Sequence, residues 1–169
     1  MITTGGRARP RSAGLVVALL ALLAFLAACG LPHDTDGSLD RIRSDQLLRA
    51  GAAHHPPYVA ADGSGEPAGS EVELVEQYAE HLGADVEWEV DSEAALIEEL
   101  EAGRLDIVVA GFEDTSPWAE QAAFTRPYLE QVEGPEATKR AHVMATRMGE
   151  NALLVDLERW LDEHAGDSA

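Results

Sequence analysis

The chain holds a single cysteine, Cys29, so no disulfide can form within it. Basic side chains are scarce too, since 12 Lys and Arg stand against 31 Asp and Glu for a formal net charge of −19. A surface this acidic repels nucleic acid and anionic lipid headgroups, so we expect neither as a partner. The apolar run from Leu15 to Phe25 is shorter than the roughly 20 residues that a membrane-spanning helix needs.

Motifs for catalysis and for metal binding are also missing. The sequence has no Gly-x-Ser-x-Gly and no phosphate-binding glycine loop, and carboxylate pairs such as Glu98 and Glu99 fall on the solvated face of a predicted helix. His54 and His55 are adjacent, so on a strand they point to opposite faces, and the other histidines lack ligand spacing. We therefore predict no enzymatic activity, no metal site and no cofactor.

The N-terminus is typical of a bacterial lipoprotein signal. Three arginines precede the apolar run, which ends in Leu26-Ala27-Ala28-Cys29, a pattern that the lipoprotein signal peptidase recognises. We expect residues 1–28 to be removed and Cys29 to carry acyl chains such as palmitate, with residues 29–37 as a tether. The alternative is a free cysteine that merely follows a signal peptide. Lipidation would place the protein on the extracytoplasmic face of the cell membrane.

The remaining chain, residues 38–165, alternates between helical and strand patterns. Ser38 is expected to cap the first helix, and Ser70 with Glu73 to form a capping box on the second. Pro56 and Pro57 should keep the chain extended. The predicted strands are Leu47 to Ala53, Asp85 to Val90, Leu105 to Ala110 and His142 to Arg147. The predicted helices are Leu39 to Asp45, Ser70 to Leu82, Ser92 to Ala102 and Glu150 to His164, and Asp62 to Gly65 is a predicted turn.

This alternation predicts an α/β fold with a mostly parallel sheet flanked by helices. In such sheets, ligands bind outside the carboxyl ends of the strands. Two loops occupy those ends, His54 to Tyr58 after the first strand and Gly111 to Trp118 after the third. We therefore expect the functional site at these two loops.

Several short motifs occur in a characteristic order along the chain. They are Leu47-Leu48-Arg49-Ala50-Gly51, Pro56-Pro57-Tyr58, Gly69-Ser70-Glu71-Val72-Glu73-Leu74, Gly103-Arg104-Leu105-Asp106-Ile107-Val108-Val109-Ala110-Gly111 and Phe124-Thr125-Arg126-Pro127-Tyr128. The ordered set resembles the first lobe of the family 3 bacterial extracellular solute-binding proteins. The resemblance implies a periplasmic-binding-protein type II fold. It also implies a receptor that delivers amino acids or related solutes to a membrane permease of an ABC importer.

The sequence departs from this family in length. Relatives leave the first lobe near the Pro-Tyr motif, build a second lobe of about a hundred residues and return for a closing strand and helix. Here only Leu129 to Ala141 lies between the corresponding segments, and Glu133 to Glu136 reads as a turn. We therefore predict a single lobe whose hinge strands are joined as a hairpin.

A second departure lies in the predicted binding loop. Relatives that hold amino acids carry an arginine three residues after a threonine, where it clamps the ligand carboxylate. After Thr115 the matching residue here is Trp118, and two acids precede it. The candidate ligand-binding residues are Tyr58, Gly111, Phe112, Glu113, Asp114, Thr115 and Trp118. Together they would form an open aromatic and acidic shelf for a cationic or aromatic solute. The alternative is that Tyr58 and Trp118 pack on the protein and the acids are only solvated.

Two functions follow from these patterns. The first is a lipid-anchored solute receptor for an ABC-type importer. The second is a single-lobed accessory module that docks on a membrane protein or another protein partner and traps no ligand. The sequence favours the first, because the resemblance covers most of the chain after Cys29.

Overall fold

The computed structural model describes residues 34–61, 66–133 and 138–165. The helices are α1 Ser38–Asp45, α2 Ser70–Leu82, α3 Glu93–Glu101 and α4 Asn151–His164, with a short 3-10 helix at Pro117–Glu120. The strands are β1 Leu47–Ala52, β2 Asp85–Val90, β3 Ile107–Val109, β4 Ala122–Phe124, β5 Leu129–Glu133, β6 Thr138–His142 and β7 Ala145–Arg147. The predicted leader, Cys29 and the predicted turns at 62–65 and 134–136 lie outside the described residues.

Five strands form the main sheet in the order β2-β1-β3-β7-β4. Strand β1 pairs in parallel with both β2 and β3, and β7 runs antiparallel to β3 and β4. Four of these five strands thus run in one direction, which confirms the predicted α/β fold with a mostly parallel sheet. None of the described helices is long and apolar enough to cross a membrane.

Alternating residues of β3 pack on opposite faces of the sheet. Ile107 and Val109 join one apolar cluster, which includes buried side chains of α1, α2 and α4. Val108 joins the second cluster, with Leu96 and Leu100 of α3. Because both faces are covered, the centre of the sheet is fully buried and can hold the strand ends in fixed positions.

The helix caps differ from those predicted. Neither Ser38 nor Ser70 caps a helix, and glycines precede both helices. Instead Asp34 accepts hydrogen bonds from the backbone N–H of Leu39, at 2.7 Å, and of Leu153, at 2.9 Å. One carboxylate therefore serves the first turns of both α1 and α4. Sequence patterns missed this because Asp34 and Leu153 are far apart along the chain.

The end of the predicted tether is bound to the domain. Glu150 accepts hydrogen bonds from the backbone N–H groups of Asp36 and Ser38 at 2.9 and 3.0 Å, and Asp34 forms a β-bridge with Glu150. Thr35 donates its backbone N–H to the Gly149 carbonyl at 3.1 Å. Residues 34–37, at the end of the predicted tether, are thus held against the start of α4.

The prolines after β1 form a turn and do not extend the chain. The Pro56–Pro57 peptide is cis, and the backbones of His55 and Val59 exchange hydrogen bonds at 2.8 and 3.0 Å across this turn. The expectation of an extended segment was therefore wrong. The turn brings Tyr58 back toward the end of β1.

The predicted hairpin is confirmed. Strands β5 and β6 pair antiparallel, from Leu129 opposite His142 to Glu133 opposite Thr138. They form a two-stranded sheet of their own. The predicted closing strand from His142 to Arg147 is divided, because β6 ends at His142 and β7 begins at Ala145. The break lets the chain leave the hairpin and enter the main sheet.

Candidate functional site

The two predicted loops meet at the carboxyl ends of β1 and β3. Gly111 has a φ of +61°, and a Cβ atom there would lie 2.6 Å from the imidazole ring of His55. A side chain at position 111 would therefore meet both backbone strain and a steric clash. The glycine lets the loop after β3 pass directly beside the loop after β1.

Glu71, in the first turn of α2, connects three segments around these loops. Its side chain is fully buried and accepts hydrogen bonds from the Gly111 backbone N–H at 2.8 Å and the Tyr128 hydroxyl at 2.5 Å. Burial raises the pKa of Glu71 from 4.5 to about 7, against the hydrogen bonds from Tyr128, Gly111 and Ala110, which lower it. The carboxyl group thus joins α2 to the binding loop and to the start of the hairpin.

From the sequence alone, Glu71 is only one residue of the motif Gly69-Ser70-Glu71-Val72-Glu73-Leu74. A signal was present, because Glu71 stands four and seven residues before Val75 and Tyr78, which lie on the apolar stripe of α2. An acid at a stripe position is buried, and a buried acid needs hydrogen-bond donors. What the spacing could not supply was the identity of those donors.

The loop after β3 pairs with the hairpin. Asp114 donates its backbone N–H to the Ala141 carbonyl, and Val143 donates its own to the Phe112 carbonyl, both at 3.0 Å. Glu113 and His142 form an antiparallel bridge between these two bonds. The end of β6 therefore stands directly beside the predicted binding loop and holds its backbone in place.

Tyr58 is buried in this arrangement, with 7% of its surface exposed. Its ring packs on that of His142, with centroids 4.1 Å apart, and lies 6.2 Å from the ring of His55. Tyr58 is therefore packed within the protein and offers little open ring surface.

Phe112 and Trp118 belong to the other face of the sheet. Phe112 is 4% exposed and packs edge-on against Phe124, with ring centroids 5.5 Å apart. Trp118 packs against the same cluster, and its indole N–H donates to the Glu93 carboxylate at 3.1 Å. Because Tyr58 belongs to the opposite cluster, the open aromatic shelf expected from the sequence is wrong. The two sets of aromatic rings lie on different faces.

The polar residues of the loop remain accessible. Asp114 and Thr115 are exposed, and Glu113 forms an ion pair with Arg140 of β6. The side chains of Glu113 and Arg140 keep 30% and 43% of their surfaces exposed. The sequence of the loop contains no indication of Arg140, which lies 27 residues away along the chain and reaches the loop only through the hairpin.

A groove of about 530 Å³ lies elsewhere, beside the residues that begin β1 and β2. Trp88 and carboxylates such as Glu76, Glu80 and Asp85 line it. It is at the amino ends of the parallel strands, opposite the two loops. Within the described residues, no three His, Cys, Asp or Glu side chains are grouped closely enough to hold a metal ion.

Residues 48–168 match the family model of the bacterial extracellular solute-binding proteins, family 3. The chain belongs to this family. The match covers most of the chain, including both loops and the hairpin. The family's description places its members outside the cytoplasm and assigns them solute binding, in agreement with the resemblance seen in the motifs.

Individual relatives of this family 3 chain include a probable amino-acid-binding protein and an enzyme. The probable amino-acid-binding protein YxeM of Bacillus subtilis is 30% identical over 113 residues, which cover 67% of this chain and 41% of YxeM. Cyclohexadienyl dehydratase of Pseudomonas aeruginosa is 32% identical over 127 residues, which cover 75% of this chain and 47% of the enzyme. The chain therefore spans less than half the length of either relative.

A solved structure of a single lobe is similar over nearly its whole length. The arginine-bound form of domain 1 from TmArgBP, of T. maritima, has 26% sequence identity and a TM-score of 0.63. The similarity covers 73% of this chain and 98% of that domain. The fold described above is thus that of one solute-binding lobe.

Proposed function

We propose that this chain is a receptor for an amino-acid-type solute, with a cationic amino acid such as arginine as the preferred ligand. The observation that carries the proposal is the accessible loop after β3, where Glu113, Asp114 and Thr115 stand at the carboxyl end of the sheet. The family assignment and the arginine-bound state of the similar domain 1 support it. The net charge of −19 favours the approach of cations.

We assign different tasks to the predicted ligand-binding residues. Glu113, Asp114 and Thr115 would contact the solute, because their side chains are accessible. Gly111 and the buried side chains of Tyr58 and Phe112 would fix the shape of the loops without contacting the solute. Trp118 is half-buried. Its ring would therefore contact only a part of a ligand that extends past Thr115.

Calorimetry on the full chain in detergent tests this proposal. The titrants are the twenty amino acids, putrescine and choline. We expect L-arginine to bind with a micromolar to millimolar dissociation constant, because one lobe provides only half of a closed cleft. Preference for acidic amino acids would contradict the cationic ligand. If no compound binds, the accessory module that docks on a protein partner replaces the receptor.

We also propose that Cys29 anchors the receptor by lipid to the extracytoplasmic face of the membrane, and that an ABC-type permease accepts its solute. The lipobox pattern at Leu26 to Cys29 supports the anchor. The layout would be a signal over 1–28, a tether after Cys29 and a single lobe over 38–165. Permease and ATPase genes beside the gene for this protein would favour import, and those of another membrane system would favour the module.

Labelling of cells with a palmitate analogue tests the anchor. The wild type should be labelled and recovered with membranes, whereas Cys29→Ser should be unlabelled and soluble. Ser12→Ala, within the predicted leader, is the control and should behave as the wild type. A wild type that stays in membranes without label would contradict lipidation at Cys29.

A further inference from the structure

The ion pair between Glu113 and Arg140 joins two segments that are hydrogen-bonded to each other. Glu113 lies in the loop after β3, and Arg140 lies in β6 two residues before His142, which bridges Glu113. The Arg140 Nη1 atom donates to the Glu113 Oε1 atom. The backbone bonds between loop and strand at 3.0 Å hold both charges at the carboxyl end of the sheet.

The exposure of this pair distinguishes it from the buried ion pairs of the domain. Asp106 pairs with Arg41 and Arg49, and its side chain is only 1% exposed. Its carboxylate is therefore inaccessible to a ligand. Glu113 and Arg140 both retain open surface. A partly exposed ion pair contributes only about 0–1 kcal/mol to stability, so its members can exchange partners at little cost.

The two charges together fit a ligand that carries both signs. The Arg140 guanidinium has further N–H donors and suits the forked geometry of a carboxylate, while the Glu113 carboxylate can accept from an ammonium group. An α-amino acid presents its carboxylate and its ammonium group on one carbon atom. Bound across the pair, it would give every charge an opposite neighbour.

A ligand with one charge would fit less well. A simple cation must compete with Arg140 for Glu113, and a simple anion must compete with Glu113 for Arg140. Either ligand leaves one protein charge without an opposite neighbour, whereas a zwitterion supplies an opposite charge to each member of the pair. The pair therefore discriminates in favour of zwitterions.

We propose that Arg140 binds the α-carboxylate and Glu113 the α-ammonium group of a zwitterionic amino acid. This inference rests on the proposed receptor function and names the residues that recognise its ligand class. The guanidinium that would bind the carboxylate belongs to the hairpin strand β6.

The test compares L-arginine with L-argininamide, which lacks the carboxylate, and with 5-guanidinopentanoate, which lacks the α-ammonium group. Calorimetry uses the full chain in detergent. We expect the wild type to bind each analogue at least tenfold more weakly than L-arginine. Arg140→Gln should weaken L-arginine binding at least tenfold and bring the ratio of L-arginine to L-argininamide near one. Glu113→Gln should do the same for the ratio to 5-guanidinopentanoate.

Arg126→Gln is the matched control, because Arg126 is an exposed arginine paired with Glu158 and Asp162 of α4. It should leave both ratios unchanged. Arg140→Lys keeps the positive charge and should retain part of the discrimination against L-argininamide. It also serves as the readout if Arg140→Gln does not fold. Thermal unfolding of each variant measures a purely structural effect of the pair.

The outcomes separate this inference from the proposed function. If another amino acid binds and L-arginine does not, the amide and the deamino analogue of that amino acid are used. Amino-acid binding with ratios unchanged in both Arg140 variants and in Glu113→Gln overturns the inference alone, and a lower melting temperature would then assign the pair to stability. If the wild type binds no amino acid, both the inference and the receptor function fail.

Discussion

The carboxyl group of Glu71 is fully buried, so its ionisation is unfavourable in the folded state. Its pKa is raised to about 7 in the folded chain, whereas an unfolded glutamate ionises near 4.5. Between these values the unfolded state has released the proton and the folded state still holds it. Stability therefore falls as the pH rises through this window, by up to about 3 kcal/mol, since one pKa unit corresponds to about 1.4 kcal/mol.

Replacing Glu71 by glutamine should flatten this dependence, because an amide accepts the Gly111 N–H without ever ionising. The measurement is the free energy of unfolding in urea at pH 5, 6, 7 and 8. Glu73→Gln changes an exposed acid of the same helix and should keep the slope of the wild type. Equal slopes for all three proteins would show that Glu71 does not titrate in this range.

The binding loop has two acids, Glu113 and Asp114. Glu113 is paired with Arg140, whereas Asp114 is exposed. We predict that Asp114→Asn reduces the preference for L-arginine over its neutral isostere L-citrulline by about two- to fivefold, the range of an exposed charge interaction. The remaining preference should also vary less with salt. Competition binding at 20 and 300 mM NaCl measures both effects.

Asp85→Asn provides the comparison for this experiment. It removes an exposed acid at the start of β2, at the opposite edge of the sheet. Its effect on the preference for L-arginine should be small, because it lies far from the loop. An equal loss in the two variants would mean that overall charge, and no local contact, selects the cation.

At the scale of elements, the first turns of α1 and α4 depend on one residue, Asp34. Asp34→Ala removes the acceptor for Leu39 N–H and Leu153 N–H together. We expect a loss of about 1–3 kcal/mol, since removing one N-terminal cap costs about 0.5–2 kcal/mol. Urea unfolding measures the change.

Asp36→Ala is the control for the helix caps. The Asp36 carboxylate is half-exposed and pairs with Arg147, so its loss should cost at most about 1 kcal/mol. A loss for Asp34→Ala no greater than for Asp36→Ala would contradict the double cap. It would then follow that α1 and α4 dock without help from residue 34.

At the scale of the whole molecule, the hairpin determines that the described residues form one lobe. Residues 34–61, 66–133 and 138–165 belong to one compact unit. We predict one cooperative unfolding transition for these residues and a radius of gyration of about 14 Å, the value for a compact domain of this length. Small-angle scattering and calorimetry measure the two quantities. Two transitions, or a radius typical of two separated lobes, would contradict a single lobe.

Local sequence patterns sufficed for the four helices and for β1, β2 and β3 in their order, but they missed β4 and the division of the closing strand. The apolar stripe of α2, the alternation in β2 and the apolar run of β3 each report a neighbourhood of a few residues, and each was confirmed. The position of the two loops at the strand ends followed from that order. The motifs along the chain also led to the family, which the match over residues 48–168 confirms.

The tertiary structure alone decided which side chains meet at the site. Arg140 reaches Glu113 across the hairpin, Glu71 meets Tyr128, and Tyr58 is buried on His142. The members of these three pairs are separated by 27 to 84 residues along the chain. Helical and strand periodicities repeat within a few residues, so they determine the face on which a side chain lies. They carry no information about its distant partner, which depends on how the sheet and the hairpin pack.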